Sequence, residues 1–249
     1  MDRTVIKTAF LYPDIFCLNG DRGNISALVQ IANRFGVAME VDRINSPDIP
    51  LNFDAYDIFY IPSGELKYVI MTAEALLRQS YTIKKAVEAG KIFIITGTSI
   101  ALFADNIIRA DKSEYKGLDI GGFDCIEHEN VFGDDLVFSA NVFGQYLPIT
   151  GCQISMIDTI LTKEAKAFGK VIYGYGNKKG NDEGVLVGNS ILTNTLGPLL
   201  IKNPEMTVAI IKKVLKNKNI ELPLNNINFD IENNSAKKIW EFIEQKISK

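Results

Sequence analysis

The segment KIFIIT, residues 91–96, is the sequence feature that most constrains the fold. Its residues from Ile92 to Ile95 are all apolar, which is typical of a strand buried on both faces in a parallel sheet. A segment with helical spacing precedes it and ends at Gly90, and the turn TGTS and a second short apolar segment follow it. The order strand, tight turn, helix predicts an α/β fold. It also predicts the kind of elbow on which many α/β enzymes carry a nucleophile.

The first half of the chain repeats this alternation. Apolar, β-branched runs at 5–12, 37–41, 57–62 and 91–96 are separated by segments with helical spacing. The pattern predicts a parallel, doubly wound sheet, whose ligands bind beyond the carboxyl ends of the strands. For the first helix we expect Asn24 as the N-cap and Gly36 just after the last turn.

The pattern changes between about 120 and 195. Short apolar runs, among them FDCIEH, DLVFSA and SILTNT, are separated by Gly, Asn and Asp, which predicts antiparallel strands that cover or extend the sheet. NPEMTVAIIKKVLK (203–216) predicts an amphipathic helix with Asn203 as N-cap and Pro204 at the first position.

These patterns divide the chain into three parts. We expect one domain over 1–218, an Asn-rich linker over 219–234 and an amphipathic helix over 235–249. A short isolated helix is marginal in water, so this helix is expected to dock either on its own domain or on a partner.

Composition excludes several functional classes. The 249 residues carry a net charge of −3, which gives no basic field for nucleic acid or anionic lipid. No apolar run reaches the roughly 18 residues of a membrane span, and the N-terminus has no signal-peptide pattern. The cysteines lack metal-site or disulfide spacing and indicate reduced thiols in a cytoplasmic protein; they are Cys17, Cys125 and Cys152. The acidic residues show no defensible metal-ligand spacing, and we expect neither a metal nor a cofactor.

Three longer stretches carry a family resemblance: LYPDIFCLNGDRGN (11–24), YGYGNKKGNDEGV (173–185) and GPLLIKNPE (197–205). They resemble the cobyric-acid-synthase-type class I glutamine amidotransferases, most closely the glutaminase subunit of lipid II isoglutaminyl synthase. The resemblance implies a flavodoxin-like α/β domain with additional antiparallel strands. It also implies a Mur-ligase-like partner that binds ATP and uses ammonia from glutamine to amidate a peptidoglycan precursor.

The chemistry of that family requires a Cys thiolate on the elbow, a His as base and backbone N–H groups for the oxyanion. When the family pattern is laid on this sequence, the nucleophile position falls on Gly97 and the base position on Leu196. Neither side chain can perform the reaction. The oxyanion loop has become PSGEL (62–66), where Pro62 lacks a backbone donor, and a further conserved run has become GCQIS (151–155). We therefore predict a degenerate site without catalytic residues, and a positive φ at Gly97.

Other candidates for catalysis are weaker. Thr98 and Ser99 carry hydroxyl groups but have no evident base, and Ser99 is more simply the N-cap of the next helix. His128 is either a relocated base or, more simply, a solvated histidine at a strand end. The loop with Asp21, Arg22 and Asn24 is either a turn with a salt bridge and a helix cap, or a cleft edge that faces a ligand or partner.

The candidate ligand or partner cleft comprises residues of the first loop, of the two strand ends and of the GCQIS segment. They are Asp21, Arg22, Asn24, Ser63, Gly64, Thr96, Gly97, Thr98, Ser99 and Gln153.

Three functions are compatible with these residues. The first is a catalytically degenerate glutaminase-like subunit that serves as a non-catalytic partner or regulator of a Mur-ligase-like enzyme. The second is a small-molecule-binding protein that reuses the cleft. The third is an active amidotransferase or hydrolase with a relocated nucleophile. Under the first hypothesis, the chain has no enzymatic activity of its own.

Overall fold

The computed structural model of the chain describes residues 4–221 and 227–247. The strands within these residues are Val5–Leu11 (β1), Ala38–Ile44 (β2), Ile58–Ile61 (β3), Ile92–Thr96 (β4), Asn106–Ile108 (β5), Glu114–Lys116 (β6), Phe123–Val142 (β7), Gln145–Leu161 (β8), Gly169–Tyr173 (β9), Asp182–Glu183 (β10), Val185–Val187 (β11) and Ser190–Thr193 (β12). The α-helices are Arg22–Arg34 (α1), Leu66–Leu76 (α2), Ser80–Glu88 (α3), Leu199–Lys202 (α4), Pro204–Asn217 (α5) and Asp230–Ile247 (α6). A 3₁₀ helix, Gly97–Phe103, follows β4.

The main sheet has the order β11-β12-β4-β3-β1-β2. Strands β2, β1, β3, β4 and β12 are parallel, and only the edge strand β11 is antiparallel to its neighbour. The prediction of a parallel sheet covered by helices is confirmed. The SILTNT run was wrongly assigned to the antiparallel region, because β12 pairs in parallel with β4 and aligns Ile191 with Ile94.

The second sheet is built around one long hairpin. Strands β7 and β8 pair from Phe123 with Leu161 to Val142 with Gln145, interrupted by an irregularity between Glu127 and Phe132. Along the other edge of β7, β5 and β6 extend the sheet beside its first half, and β9 and β10 beside its second half. This sheet confirms the predicted additional antiparallel strands.

Two apolar clusters cover the faces of the main sheet. One joins Phe59 and Phe93, whose rings stack at 4.6 Å, to α2, α3, the 3₁₀ helix and the first half of β7. The other joins the opposite face to α1, α5 and the second half of β7. Ile92 to Ile95 are at most 1% exposed, as expected for a strand buried on both faces.

Two of the predicted helix caps are wrong. α1 begins at Arg22 with Asp21 at the N-cap position, so Asn24 is the third residue of the helix and its side chain is buried. Ser99 lies inside the 3₁₀ helix, which begins at Gly97. Gly36 follows α1 with a φ of +75°, and Asn203 and Pro204 begin α5, as predicted.

The C-terminal helix begins earlier than predicted. α6 starts at Asp230, so the last five residues of the predicted 219–234 linker are helical, and 222–226 lie outside the described residues. The helix packs on its own domain: Ile243 is fully buried, and the Lys246 ammonium donates to the Tyr173 hydroxyl at 3.1 Å. Among the described helices, none is long and apolar enough to cross a membrane.

Candidate functional site

The elbow has the backbone that the sequence predicts. β4 ends at Thr96, and Gly97 turns the chain into the 3₁₀ helix with a φ of +57°, which confirms the expected positive φ. Glycine adopts this left-handed region at no steric cost, whereas a residue with a Cβ pays for it in strain. The elbow therefore has the backbone of a nucleophile turn, and glycine adopts that backbone without strain.

The space above Gly97 is filled by two other side chains. A Cβ placed on Gly97 would lie 2.8 Å from both Leu196 Cδ2 and Ser63 Cβ, and still closer to Ser63 Oγ. Real Cβ contacts this short essentially never occur. The two positions that the resemblance assigns to nucleophile and base are thus neighbours in space, although Gly97 and Leu196 are 99 positions apart in the sequence.

Leu196 is held in place by the altered GCQIS segment. Its backbone N–H donates to the Cys152 carbonyl at 2.8 Å, and its carbonyl accepts from the Cys152 N–H at 3.3 Å. Gly151 permits this approach, because a Cβ there would lie 3.0 Å from the Leu196 carbonyl oxygen and closer to the Thr195 side chain. The leucine side chain is fully buried.

A buried carboxyl group lies beneath the elbow. Asp21 Oδ2 accepts from the Ser63 backbone N–H at 2.6 Å and from the Thr96 hydroxyl at 3.0 Å, and its Oδ1 accepts from the Asn24 amide at 3.3 Å. Burial raises the pKa of Asp21 to about 6, and the hydrogen bonds from Ser63, Thr96 and Tyr60 limit that rise. The Ser63 backbone donor, in the loop that the resemblance aligns with the family's oxyanion loop, is consequently occupied by a side chain of the protein itself.

The Asn24 amide and the Tyr60 phenol extend this network to the helices. The Asn24 amide donates to the Tyr60 hydroxyl at 2.7 Å, and its carbonyl oxygen accepts from the Leu200 N–H at 2.7 Å. Asn24 therefore links α1 to the start of α4, which directly follows the Leu196 segment. We infer a mainly structural role for its side chain.

The first loop covers the strand end at Ser63. The N–H groups of Cys17 and Leu18 both donate to the Ser63 carbonyl, at 2.9 and 3.1 Å. The Phe16 ring packs against Gly64, where a Cβ would lie 2.9 Å from Phe16 Cγ. Glycine at position 64 is thus required for this close approach.

Of the hydroxyl groups at the elbow, only the buried one of Thr96 faces a basic group. The Ser99 hydroxyl donates to the Pro62 carbonyl at 2.6 Å, and within the described residues the Thr98 hydroxyl has no hydrogen-bond partner. The Thr96 hydroxyl does face the Asp21 carboxyl group, but Thr96 is fully buried and no substrate carbonyl can reach it. The arrangement does not provide an activated nucleophile.

The remaining predicted cleft residues lie at the margin of this arrangement. The Gln153 side chain is buried, donates to the Gly176 carbonyl at 2.7 Å and accepts from the Gly176 N–H at 2.9 Å, so its polar atoms are used within the fold. Arg22 is exposed on the first turn of α1. The structure therefore brings Asp21, Asn24, Ser63, Gly64 and the elbow together.

The histidine and the cysteines lie elsewhere. His128 is half-buried within β7, not solvated at a strand end, and its Nε2 lies 3.9 Å from Asp158. All three cysteines are free; Cys125 is fully buried, and burial raises its pKa well above the ordinary range. Within residues 4–221 and 227–247, no three His, Cys, Asp or Glu side chains form a group that could hold a metal ion.

A second buried carboxyl group was not predicted. Glu183 Oε1 accepts from the Thr193 hydroxyl at 3.0 Å and from the Asn194 N–H at 2.7 Å, while Oε2 has no hydrogen-bond partner. Burial raises the pKa of Glu183 to about 7. The only sequence signal was its place beside Gly184 in the family-like stretch 173–185, and that signal does not indicate burial.

Two curated proteins are similar to the chain along most of its length. The GatD subunit of lipid II isoglutaminyl synthase (glutamine-hydrolyzing) from Staphylococcus aureus is 29% identical over 204 residues, 82% of each chain. The GatD subunit from Streptococcus pneumoniae is 25% identical over 226 residues, 88% of this chain and 85% of that protein. No protein-family model matches the chain.

Solved structures with the same fold are more distant in sequence. A chain in the structure of PurLQS from Thermotoga maritima has a TM-score of 0.58 and 10% identity, and covers 86% of this chain and 99% of its own. A crystal structure of a glutamine amidotransferase has a TM-score of 0.51 and 13% identity, with coverage of 86% and 99%. The chain is a homologue of the GatD subunits of lipid II isoglutaminyl synthase, and its fold is that of the class I glutamine amidotransferases.

Proposed function

We propose that this chain is a catalytically inactive glutaminase-like subunit. It acts in the cytoplasm as a non-catalytic partner or regulator of a Mur-ligase-like enzyme that amidates a peptidoglycan precursor. The observation that carries the proposal is the packing at Gly97, where Ser63 and Leu196 occupy the volume that a nucleophilic side chain needs.

Glutamine hydrolysis needs three groups that this site does not supply. A thiolate must attack the carboxamide, a base must move the proton, and backbone donors must hold the oxyanion. Gly97 has no side chain, Leu196 has no basic atom, and the Ser63 N–H is already bound to Asp21. The three losses are independent, so no single rotamer change restores the reaction.

The partner role rests on the relatives. Both similar proteins are named as subunits of lipid II isoglutaminyl synthase, and the sequence similarity extends over most of their length. A subunit without hydrolytic activity can still bind its partner, because docking requires neither the nucleophile nor the base. With such a subunit, the amidating enzyme depends on free ammonium.

The two alternative functions have less support. A small molecule in the elbow cleft would have to displace Leu196 and Ser63, which are at most 2% exposed. A relocated nucleophile would need a base, and Ser99 donates its hydroxyl hydrogen to a backbone carbonyl instead.

The test is to purify the chain together with the Mur-ligase-like protein encoded in the same genome. We expect the two to co-elute, and the complex to amidate its precursor with ammonium but not with glutamine. The S. aureus GatD complex serves as the matched control that uses glutamine. Stoichiometric labelling of residues 91–104 by a glutamine-analogue electrophile, or amidation supported equally by glutamine, would overturn the inactivity. Separate elution would overturn the partner role alone.

A further inference from the structure

A second cleft lies at the opposite end of the main sheet from the elbow. It is bounded by the turn of the β7–β8 hairpin, the turn between β11 and β12, and the C-terminal half of α5. Its volume is about 580 Å³, within the range of small-molecule sites. Asn189, which directly precedes β12, lines it and donates to the Gly90 carbonyl at 2.9 Å, just before β4. We call this the lysine cleft.

Three lysines line the cleft from one face of α5: Lys212, Lys213 and Lys216. With Ala209, which also lines it, they occupy positions i, i+3, i+4 and i+7 of the helix. No Asp or Glu lines the cleft, and none of the three lysines forms an ion pair with a described residue. By contrast, Lys218, which directly follows the helix, binds Asp57 at 2.9 Å.

This concentration of charge is unfavourable for the isolated fold. Like charges at i and i+4, as at Lys212 and Lys216, destabilise a helix. The helix dipole favours cations in the last turn of α5, but it does not account for the absence of carboxylates around them. A bound anion would supply the missing negative charge.

The cleft also contains an aromatic ring held in a costly conformation. The β7–β8 hairpin turns through Phe143 and Gly144, whose φ values are +52° and +95°. Such a two-residue turn favours Asn or Gly at its first position, whereas Phe in the left-handed region is strained. The Lys213 ammonium lies 6.0 Å from the centre of the Phe143 ring, so the turn directs an aromatic surface towards the cationic side of the cleft.

The geometry points to a site for a small phosphate-bearing molecule with a planar ring, such as a nucleotide. The lysine ammonium groups bind the phosphate oxygens through charge-assisted hydrogen bonds, and the ligand ring stacks on Phe143. Leu186 and Ile191 supply the apolar floor. This inference does not depend on the proposed glutaminase-like role, because the elbow contributes nothing to the cleft.

Isothermal titration calorimetry of the full chain with ADP, pyrophosphate and adenosine tests the site. We expect ADP to bind more tightly than pyrophosphate, and adenosine to bind least. The double variant K212Q/K213Q keeps the aliphatic stems and should lower the affinity for ADP by about tenfold per lysine removed. The charge-matched control K84Q/K237Q alters two exposed lysines elsewhere and should leave the affinity unchanged.

The variant Phe143→Asn distinguishes the contribution of ring stacking from that of the phosphate contacts. Asn tolerates the left-handed turn, so the variant should fold and should bind pyrophosphate with unchanged affinity. Its affinity for ADP should fall to its affinity for pyrophosphate. A lipid headgroup is the other source of phosphate, and phosphatidylglycerol vesicles test it by co-sedimentation. The proposal is overturned if ADP binds K212Q/K213Q as tightly as the unaltered chain, if no phosphate compound binds, or if the lysines affect only vesicle binding.

Discussion

The two ends of the main sheet differ in whether their polar groups have partners within the fold. At the carboxyl edge, where β3 and β4 end, Asp21 and its donors are buried and bonded to one another, and Leu196 closes the space above Gly97. At the amino edge, three lysines line one side of an open cleft that has no carboxylate in its lining. The polar groups beneath the elbow thus find partners within the fold, whereas the three lysines of the lysine cleft have no carboxylate partner among the described residues. The ligand site proposed at the lysine cleft rests on this difference.

The largest expected effect comes from removing the charged group at the closed edge. Asp21→Ala should lower the free energy of unfolding by about 4 kcal/mol, because the Ser63 N–H, the Thr96 hydroxyl and the Asn24 amide all lose their acceptor. The same measurement on Lys216→Gln at the open edge should change stability by less than about 0.5 kcal/mol. Urea denaturation followed by circular dichroism measures both. Equal losses in the two variants would abolish the contrast between the edges.

The second effect is a pH dependence from Glu183, which lies beside the carboxyl end of β12. Burial raises its pKa from the ordinary value of 4.5 to about 7. Between these two pH values the folded chain keeps a proton that the unfolded chain has released, so stability falls as the pH rises from about 4.5 to 7 and is flat above. The loss is about 3 kcal/mol.

Denaturation at about pH 5 and about pH 8 measures this slope. Glu183→Gln cannot titrate and should remove the Glu183 part of it, while the smaller contribution of Asp21 remains. Glu88→Gln, at an exposed carboxylate on α3 that binds Lys85 at 2.8 Å, should leave the slope in place. A slope that is unchanged in Glu183→Gln would mean that Glu183 is ionised in the folded chain.

Much of the fold follows from local patterns, whereas the site does not. The apolar run from Ile92 to Ile95 and the alternation of helices with strands were sufficient for the parallel sheet. The short β12 could not be assigned to that sheet, because four residues carry no signal for the strand beside which they will pair. The start of α6 was missed because Asn233 and Asn234 have low helix propensity, which packing overrides.

The elbow illustrates the same limit for function. The choice of Gly97 and Leu196 came from the family resemblance, and no local pattern indicates that the Leu196 side chain lies against Gly97. The burial of Asp21 is a tertiary property: its donors lie 42 and 75 residues away in the sequence, at Ser63 and Thr96. The lysine cleft was not anticipated either, since an amphipathic helix with lysines on its outer face is also the ordinary pattern of a solvated surface.

The smallest effect separates backbone strain from packing at the elbow. Gly97→Ala should cost about 2 kcal/mol, since the new Cβ meets a left-handed φ and also the side chains of Ser63 and Leu196. Gly36→Ala is the matched control: its φ is +75°, but no atom lies within 4 Å of the new Cβ, so about 1 kcal/mol is expected from the backbone alone.

The double variant Ser63→Gly/Gly97→Ala completes a thermodynamic cycle for this difference. Ser63→Gly removes both Ser63 atoms that approach the Cβ, so in that background Gly97→Ala should cost little more than Gly36→Ala, with Leu196 as the remaining contact. An unchanged cost would assign the penalty to Leu196 or to the backbone. If instead Gly97→Ala costs no more than Gly36→Ala in the unaltered chain, the volume above the elbow is open. A nucleophile would then fit there, and the closed edge would no longer differ from the lysine cleft.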